Sequence, residues 1–192
     1  MSARIVVLAS GAGTLFEALL DSGLGARVVG LVTDQPGARA VEVAEGRGIP
    51  VRKVTVIDFD SRDLWQNELL RQVKELDPDL VVAAGFMRIL SPAFVNAFPE
   101  QIVNSHPSLL PQFPGAHAVR DAIEAGSTVT GCTVHFIDEG VDTGKIIAQE
   151  QVEVLPGESE AALHERIKTV ERRLLPLSVE RLLNERFGKG FQ

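Results

Sequence analysis

The chain has 192 residues, of which 45% are hydrophobic and 23% charged, a composition typical of a globular protein with a substantial core. Its formal net charge of −7 argues against nucleic acid or an anionic membrane surface as the main partner. The single cysteine, Cys132, excludes an internal disulfide or a thiolate zinc cluster, and no segment has the roughly 18 apolar residues of a membrane span. The N-terminus shows no signal-peptide pattern, so we expect a cytoplasmic protein.

Short apolar runs alternate with helical patterns through the first hundred residues. Because these runs are continuously apolar, they indicate strands buried on both faces, and their alternation with helices predicts a parallel, doubly wound sheet with right-handed crossovers. The predicted strands are Ile5–Ala9, Val28–Val32, Val51–Val54 and Asp79–Ala84. The predicted helices are Thr14–Leu20, Ala38–Arg47 and Asp60–Leu76.

The second half of the chain has a different pattern. A further strand is predicted at Gln101–His106, followed by a proline-rich loop. Strands at Thr128–Ile137 and Lys145–Leu155 flank the turn Asp138–Gly144 and predict an antiparallel hairpin-like excursion. A long helix is predicted from about Ser159. We therefore expect one α/β domain over residues 1–192, Rossmann-like and doubly wound, with a mostly parallel sheet, a late antiparallel strand and a long C-terminal helix.

Two predicted helices carry apolar stripes that should face the sheet. The third helix is expected to place Leu64, Leu69, Leu70, Val73 and Leu76 near one face, with Trp65 and Phe59 packing it against the sheet. The C-terminal helix has 4-3-4-3 spacing at Leu163, Ile167, Val170, Leu174 and Leu177. Pro176 should kink that helix.

The segment Ser10-Gly11-Ala12-Gly13-Thr14 joins the first strand to the first helix. Glycines let the backbone approach a ligand, and a helix N-terminus offers free N–H groups, so the segment predicts an anion site with phosphate as the usual occupant. It is neither a Walker loop nor a full GxGxxG motif. The alternative is a tight turn with Thr14 as the helix N-cap.

The most polar constellation of the chain follows the predicted strand that ends at His106. Asn104 and His106 are two residues apart and should point to the same side of that strand, at the edge where open α/β sheets place their sites. An amide donor beside an imidazole suits a developing oxyanion, although a structural polar pair remains the alternative. Asp142, in a glycine-rich turn, is either catalytic or bonded to its own backbone.

The remaining histidines and the cysteine are interpreted as structural. His117, His135 and His164 are expected to be packing or surface residues, with His117 a candidate for indirect support of the site, and Cys132 a buried small residue. One rival hypothesis is a metal-dependent hydrolase that uses His106, His117, His135 and Asp142, although no HxH or HxxxH spacing supports it. Another is a non-catalytic nucleotide-binding module, which leaves Asn104, His106 and Asp142 unexplained.

Taken together, these segments resemble the folate-dependent formyltransferases, and within them the phosphoribosylglycinamide formyltransferase family. The resemblance is carried by residues 10–13, by AGFMRILSPAFV at 84–95, by NSHPSLLPQFPG at 104–115, by GCTVHFIDEGVDTGKII at 131–147 and by ERIKTVERRLLP at 165–176. It covers nearly the whole chain and implies the formyltransferase fold, with a phosphate-binding half at about 1–100 and a catalytic, folate-binding half at about 84–192.

The resemblance implies transfer of a formyl group from 10-formyltetrahydrofolate, as co-substrate, to the amine of glycinamide ribonucleotide in purine biosynthesis, without a metal. Asn104 and His106 would stabilise the oxyanion. Asp142 would hold His106 protonated and help to move the amine proton through a water. The two small molecules would be the partners, with no nucleic acid and no membrane, and the protein would be a monomer or a homodimer.

The resemblance also implies two sets of binding residues. The ribonucleotide would contact Gly11, Ala12, Gly13, Thr14, Leu15, Gly85, Pro107 and Glu171, with Glu171 reaching the ribose or amine. The folate would contact Met87, Arg88, Ile89, Leu90, Asn104, Asp138, Val141 and Asp142, with Arg88 near its glutamate tail.

The chain departs from the family at one place in the glycine loop. It has Thr14-Leu15-Phe16 where the family often has Ser-Asn-Leu. We expect the backbone to hold the phosphate and Leu15 to face the interior. Methionyl-tRNA formyltransferase and formyltetrahydrofolate hydrolase are less favoured, because each resembling family carries an additional domain for which the chain has no room.

Overall fold

The computed structural model describes residues 3–187. Its seven strands form one sheet in the order β3-β2-β1-β4-β5-β6-β7. The strands are β1 Ile5–Leu8, β2 Val28–Thr33, β3 Val51–Lys53, β4 Leu80–Ala83, β5 Ile102–His106, β6 Val129–Phe136 and β7 Ile146–Glu153. The first five strands, β1 to β5, run parallel to one another, whereas β6 pairs antiparallel with both β5 and β7. The predicted α/β class, the mostly parallel sheet and the late antiparallel excursion are confirmed.

Six α-helices accompany the sheet in the described residues. They are α1 Thr14–Leu19, α2 Arg39–Gly46, α3 Arg62–Glu75, α4 Pro92–Ala97, α5 Ala118–Glu124 and α6 Glu160–Phe187. A π-helical turn at Leu20–Leu24 continues α1. The long C-terminal helix is confirmed, and it runs on through Pro176. Within residues 3–187, no helix combines the length and apolarity needed to cross a membrane.

Apolar side chains cover both faces of the sheet, which explains the continuously apolar strands. In β1, Ile5 and Val7 pack into a core shared with α1 and α6, while Val6 and Leu8 pack into a second core with α3 and α4. Alternate residues of one strand thus serve opposite cores. The helices flank the sheet, and the carboxyl ends of β1, β2, β4 and β5 reach the same edge.

Two predicted apolar stripes needed correction. Leu64 is 52% exposed, because the buried face of α3 runs through Trp65, Leu69 and Val73. Leu177 is 53% exposed, and its place is taken by the buried Leu175 and Val179. The buried residues of α6 recur every four positions, at Leu163, Ile167, Glu171, Leu175 and Val179, so the buried face turns around the helix and leaves the predicted stripe before Leu177.

Two short helices, α4 and α5, were not predicted from the sequence. The signal for α4 was present, because Pro92 opens the helix and the Ser91 hydroxyl accepts a hydrogen bond from the Phe94 amide. At α1, Gly13 and not Thr14 is the N-cap residue, and no side chain caps the helix.

Candidate active site

Four polar side chains meet at the carboxyl end of β5. The Asp142 carboxylate lies between two imidazoles, with Oδ2 3.4 Å from His106 Nδ1 and Oδ1 3.6 Å from His135 Nε2. Asn104 Nδ2 is 3.3 Å from the same His135 nitrogen. The pairing of β5 with β6 sets this arrangement, because it places Asn104 directly opposite His135. The structure therefore brings Asn104, His106 and Asp142 into one cluster.

His135 fixes the orientation of Asn104. Its Nδ1 lies 2.9 Å from the Phe136 carbonyl, which can only accept, so Nδ1 carries a proton. Burial lowers the pKa of His135, so the ring is neutral near pH 7 and Nε2 is an acceptor. The Asn104 amide must then turn an N–H toward His135, which leaves its second N–H for another acceptor. The prediction that His135 is only a packing residue was therefore incomplete.

His106 is held on both sides of its ring. Its side chain is 7% exposed, and Nε2 donates to the Phe113 carbonyl at 2.8 Å while Nδ1 faces Asp142. Asp142 Oδ2 in turn accepts from the Gly115 amide at 2.8 Å. Phe113 and Asp142 both adopt positive φ angles, of 52° and 54°. Such backbone is uncommon outside glycine and often occurs where a loop aims a functional group.

The turn that carries Asp142 has a tight internal structure. The carboxylate of Asp138 accepts hydrogen bonds from the Gly140 amide and the Thr143 hydroxyl, so Asp138 stabilises the turn. A Cβ on Gly144 would lie 1.7 Å from the Phe136 carbonyl oxygen, which explains the glycine there. Val141, at the tip, is 51% exposed.

The glycine loop lies at the end of β1, beside the loop that follows β4. Gly11, Ala12 and Thr14 are exposed, whereas Gly13 is buried with a φ of +71°. Leu15 is half-buried against the core shared with α1 and α6, which confirms that it faces the interior.

Ser10 joins the glycine loop to the 85–90 loop. Its amide donates to the Gly85 carbonyl at 3.1 Å, and its hydroxyl accepts from the Met87 amide at 3.0 Å. Met87, Arg88 and Ile89 then line a pocket of about 470 Å³ that also involves Phe59 and Arg62. Leu90, by contrast, is buried in the core beside α3 and α4.

Glu171 lies on the other face of β5. Its carboxylate accepts from the Ser105 hydroxyl at 2.8 Å, and Ser105 falls between Asn104 and His106 along the strand. Burial raises the pKa of Glu171. The neighbouring Cys132 is fully buried, as predicted, and burial raises its thiol pKa to about 12, so it is not a nucleophile.

The other predicted residues fall in two groups. Pro107 is half-buried directly after β5, and Arg88 makes a 2.7 Å ion pair with Asp34. His117 is exposed at the start of α5 and His164 lies on α6, so neither joins the cluster. Among residues 3–187, no group of three or more His, Cys, Asp or Glu side chains is placed to hold a metal ion.

Comparison with known proteins finds relatives that share one family. Residues 3–179 match the formyl transferase family. Phosphoribosylglycinamide formyltransferase of Mycobacterium tuberculosis is 50% identical over 183 residues, which are 94% of this chain and 85% of that protein. Trifunctional purine biosynthetic protein adenosine-3 of Drosophila melanogaster is 43% identical over 94% of this chain and 14% of its own length.

The fold has the same relatives. The crystal structure of phosphoribosylglycinamide formyltransferase from Bacillus halodurans superposes with a TM-score of 0.91 at 41% identity. The match covers 98% of this chain and 100% of that one. The arrangement of seven strands and the long C-terminal helix is thus shared with formyl-transferring enzymes.

Proposed function

The chain belongs to the formyl transferase family, and we propose that it transfers the formyl group of 10-formyltetrahydrofolate to the amine of N1-(5-phospho-D-ribosyl)glycinamide. The products are the N2-formyl ribonucleotide and tetrahydrofolate, in the route to purine nucleotides. The observation that carries the proposal is the cluster of Asn104, His106, His135 and Asp142 at the carboxyl end of β5, the strand next to β4 and its 85–90 loop.

The cluster supports attack of an amine on a formyl carbon. As the new C–N bond forms, the formyl oxygen gains negative charge, and the second N–H of Asn104 stabilises it. The His106 Nε2–H becomes available to the same oxygen when substrate replaces the Phe113 carbonyl, a change typical of apo sites that tighten on binding. Both donors lie on one face of β5.

The proton balance involves Asp142. The attacking amine loses a proton and the departing folate nitrogen gains one, so the reaction needs a group that passes a proton between them. The Asp142 carboxylate, 14% exposed and held by the Gly115 amide, is the base in the cluster and acts through a water molecule. It also pairs with the imidazolium of His106 when that ring is protonated.

The binding residues are divided between the two loops. We assign Gly11, Ala12, Gly13 and Thr14 to the substrate phosphate, held by backbone N–H groups, and Glu171 to the ribose or amine. The 85–90 loop with its pocket takes the folate, with the pterin nearer to Asn104 and the glutamate tail nearer to Arg88. The two halves act as one domain, and the protein works in the cytoplasm.

The test is formyl transfer by the purified protein. Tetrahydrofolate release from 10-formyltetrahydrofolate is followed with and without the ribonucleotide, and the formylated product is identified by mass spectrometry. We expect release only when the amine is present. Equal release without the amine would show a hydrolase instead, and His106→Ala is the control for contaminating activity.

A further inference from the structure

Asp34 is a buried carboxylate that neither the reaction nor the core explains. It directly follows β2 at the edge of the sheet where the substrate loops lie, and its side chain is 1% exposed. One oxygen, Oδ2, receives a hydrogen bond from Arg88 Nε at 2.7 Å and a longer one from Gln35 Nε2 at 3.4 Å. The other, Oδ1, is buried with no hydrogen-bond partner. A buried carboxylate with one oxygen that makes no hydrogen bond destabilises the folded state. The ion pair of Asp34 with Arg88 is therefore expected to serve a function.

Asp34 binds Arg88 through Nε, so the two terminal nitrogens of the guanidinium remain available to a ligand. The ion pair uses Nε, and no hydrogen bond from Nη1 or Nη2 to another group of residues 3–187 is described. The side chain is 42% exposed and forms part of the wall of the 470 Å³ pocket beside Met87 and Ile89. Two parallel N–H groups of a guanidinium are suited to bind a carboxylate in a bidentate way.

We propose that Asp34 is a positioning residue that fixes Arg88 so that its terminal nitrogens bind the glutamate carboxylate of the folate. This inference rests on the proposed function. A free arginine side chain loses much rotamer freedom when it binds a ligand, and the Asp34 contact removes that loss before the ligand arrives.

The sign of the effect separates positioning from simple electrostatics. Asp34→Asn removes a negative charge next to a pocket for an anion, so charge alone predicts tighter binding. Positioning predicts weaker binding, because the amide holds Nε less firmly than the carboxylate does. Asp60→Asn is the matched control, since Asp60 lines the same pocket without an ion pair to Arg88 in the described structure. It should leave binding unchanged or slightly tighter.

The experiment is an anaerobic equilibrium titration with tetrahydrofolate and with tetrahydropteroate, which lacks the glutamate. For Asp34→Asn we expect the Kd of tetrahydrofolate to rise about five- to tenfold, the effect of weakening one charge-assisted hydrogen bond, and the Kd of tetrahydropteroate to stay unchanged. Arg88→Met should lose more affinity for tetrahydrofolate. The double variant should bind it no more weakly than Arg88→Met alone, because Asp34 acts through Arg88.

Several results overturn the inference. One is an Asp34→Asn protein that binds tetrahydrofolate with wild-type affinity or more tightly. Another is an equal rise in the Kd of tetrahydrofolate and of tetrahydropteroate. A third is a double variant that binds tetrahydrofolate more weakly than Arg88→Met does. If Asp34→Asn does not fold, Arg88→Lys decides: it keeps the charge but cannot bond Asp34 and offer two parallel donors together. Arg88→Lys should bind tetrahydrofolate as weakly as Arg88→Met, and wild-type affinity refutes the proposal.

The titration is independent of turnover. If the wild-type protein shows the expected pattern of binding but transfers no formyl group to the ribonucleotide, the proposed reaction fails and the role of Asp34 stands. If transfer occurs but the wild-type protein binds the two ligands equally, Arg88 makes no productive contact with the glutamate and the inference fails alone.

Discussion

At the scale of single residues, the candidate site is built around a carboxylate that lies between two histidines. Asp142 faces His106 with one oxygen and His135 with the other, and Asn104 bonds to His135. The two rings differ in role because their surroundings differ: burial keeps His135 neutral and turns it into an acceptor. Asn104 is thereby oriented before any substrate binds, as electrostatic preorganisation requires.

We expect loss of each reacting group to lower kcat with little effect on folding. His106→Ala and Asp142→Asn should each lower kcat by roughly 10²–10⁴, the range for positioned proton-transfer groups. Asn104→Ala should cost about 10²–10³, as for removal of one oxyanion donor. Because the groups act as a unit, the triple variant should lose far less than the product of the single losses.

The measurement is steady-state kinetics on variants whose circular dichroism matches the wild type. His164→Ala is the control, since His164 lies on α6 outside the cluster, and its kcat should not change. Folded His106→Ala or Asp142→Asn protein with near wild-type kcat would remove the assignment.

Sequence alone identified part of this cluster. Asn104 and His106 follow from their spacing on a strand, because alternate residues of a strand share a face. The contacts of Asp142 and His135 do not, since they depend on β5 pairing with β6 in one register. A pairing between segments some 30 residues apart leaves no local pattern. The one available signal for His135 was its place in a segment with high similarity to the family.

At the scale of elements, buried strands and long helices were the most predictable parts. Each predicted strand lies within two residues of the observed one, because continuous apolar runs between glycines have few other solutions. The helices α4 and α5, of six and seven residues, were missed since so few residues establish no periodicity. The faces of α3 and α6 were misjudged at Leu64 and Leu177, where the tertiary contacts decide which side is buried.

We expect the first glycine loop to combine a structural requirement with phosphate binding, and two matched variants can separate them. A Cβ on Gly13 would lie 2.9 Å from the Ala40 backbone, in a φ region unfavourable to other residues, whereas a Cβ on Gly11 meets nothing within 4 Å. Gly13→Ala should therefore destabilise the fold by about 1–3 kcal/mol. Gly11→Ala should leave stability unchanged but raise KM for the ribonucleotide, because a methyl group hinders approach of the phosphate.

Thermal unfolding and steady-state kinetics on both variants test this separation. The folate KM should not move in Gly11→Ala. A stable Gly13→Ala protein would contradict the packing argument, and an unchanged ribonucleotide KM in Gly11→Ala would contradict the assignment of phosphate to this loop.

We expect a trade-off between stability and function at Glu171 on helix α6. Burial raises the pKa of this carboxyl above its ordinary value of 4.5, so the folded state binds the proton more tightly than the unfolded state. The favourable contribution is complete below pH 4.5 and is lost as pH rises through the folded-state pKa. At neutral pH the buried, charged carboxylate of Glu171 lowers the stability of the folded state, and the hydrogen bond from Ser105 makes this loss smaller.

Glu171→Gln should therefore have a larger free energy of unfolding than the wild type at neutral pH, and this difference should vanish below pH 4.5. The amide oxygen can still accept from Ser105. The same variant should raise KM for the ribonucleotide, since it replaces a charged acceptor for ribose or amine. Urea unfolding at several pH values checks the first expectation, with the exposed Glu165→Gln on the same helix as control. A constant difference at all pH values would contradict it.

At the scale of the whole molecule, the fold brings the two loops proposed to bind the substrates to one edge of the sheet. The loop after β1 and the loop after β4 are neighbours because those strands pair directly, and the end of β5 lies next in order. In the proposed reaction, the amine and the formyl carbon would meet at Asn104 and His106 while the phosphate and the glutamate tail extend in different directions. The sequence predicted a doubly wound, mostly parallel sheet but not this order of strands, because it does not specify which parallel strands are neighbours.

Ser10 hydrogen-bonds the glycine loop to the 85–90 loop, and we expect it to couple the two substrates. Its hydroxyl accepts from the Met87 amide, so a ribonucleotide that orders the glycine loop also orders the folate loop. Ser10→Ala removes this one hydrogen bond and keeps the Ser10 amide bond to Gly85. The factor by which ribonucleotide tightens tetrahydrofolate binding should then fall about two- to tenfold, the value of one ordinary hydrogen bond.

The measurement is the Kd of tetrahydrofolate with and without saturating ribonucleotide, repeated in the reverse order. Linkage requires the same factor from both directions, which makes the result self-checking. Ser22→Ala is the control, because its hydroxyl donates within its own helical turn to Leu19 and touches neither loop. Equal coupling in the wild type and Ser10→Ala would show that the two loops act independently, and that their adjacency serves only to bring the reacting atoms together.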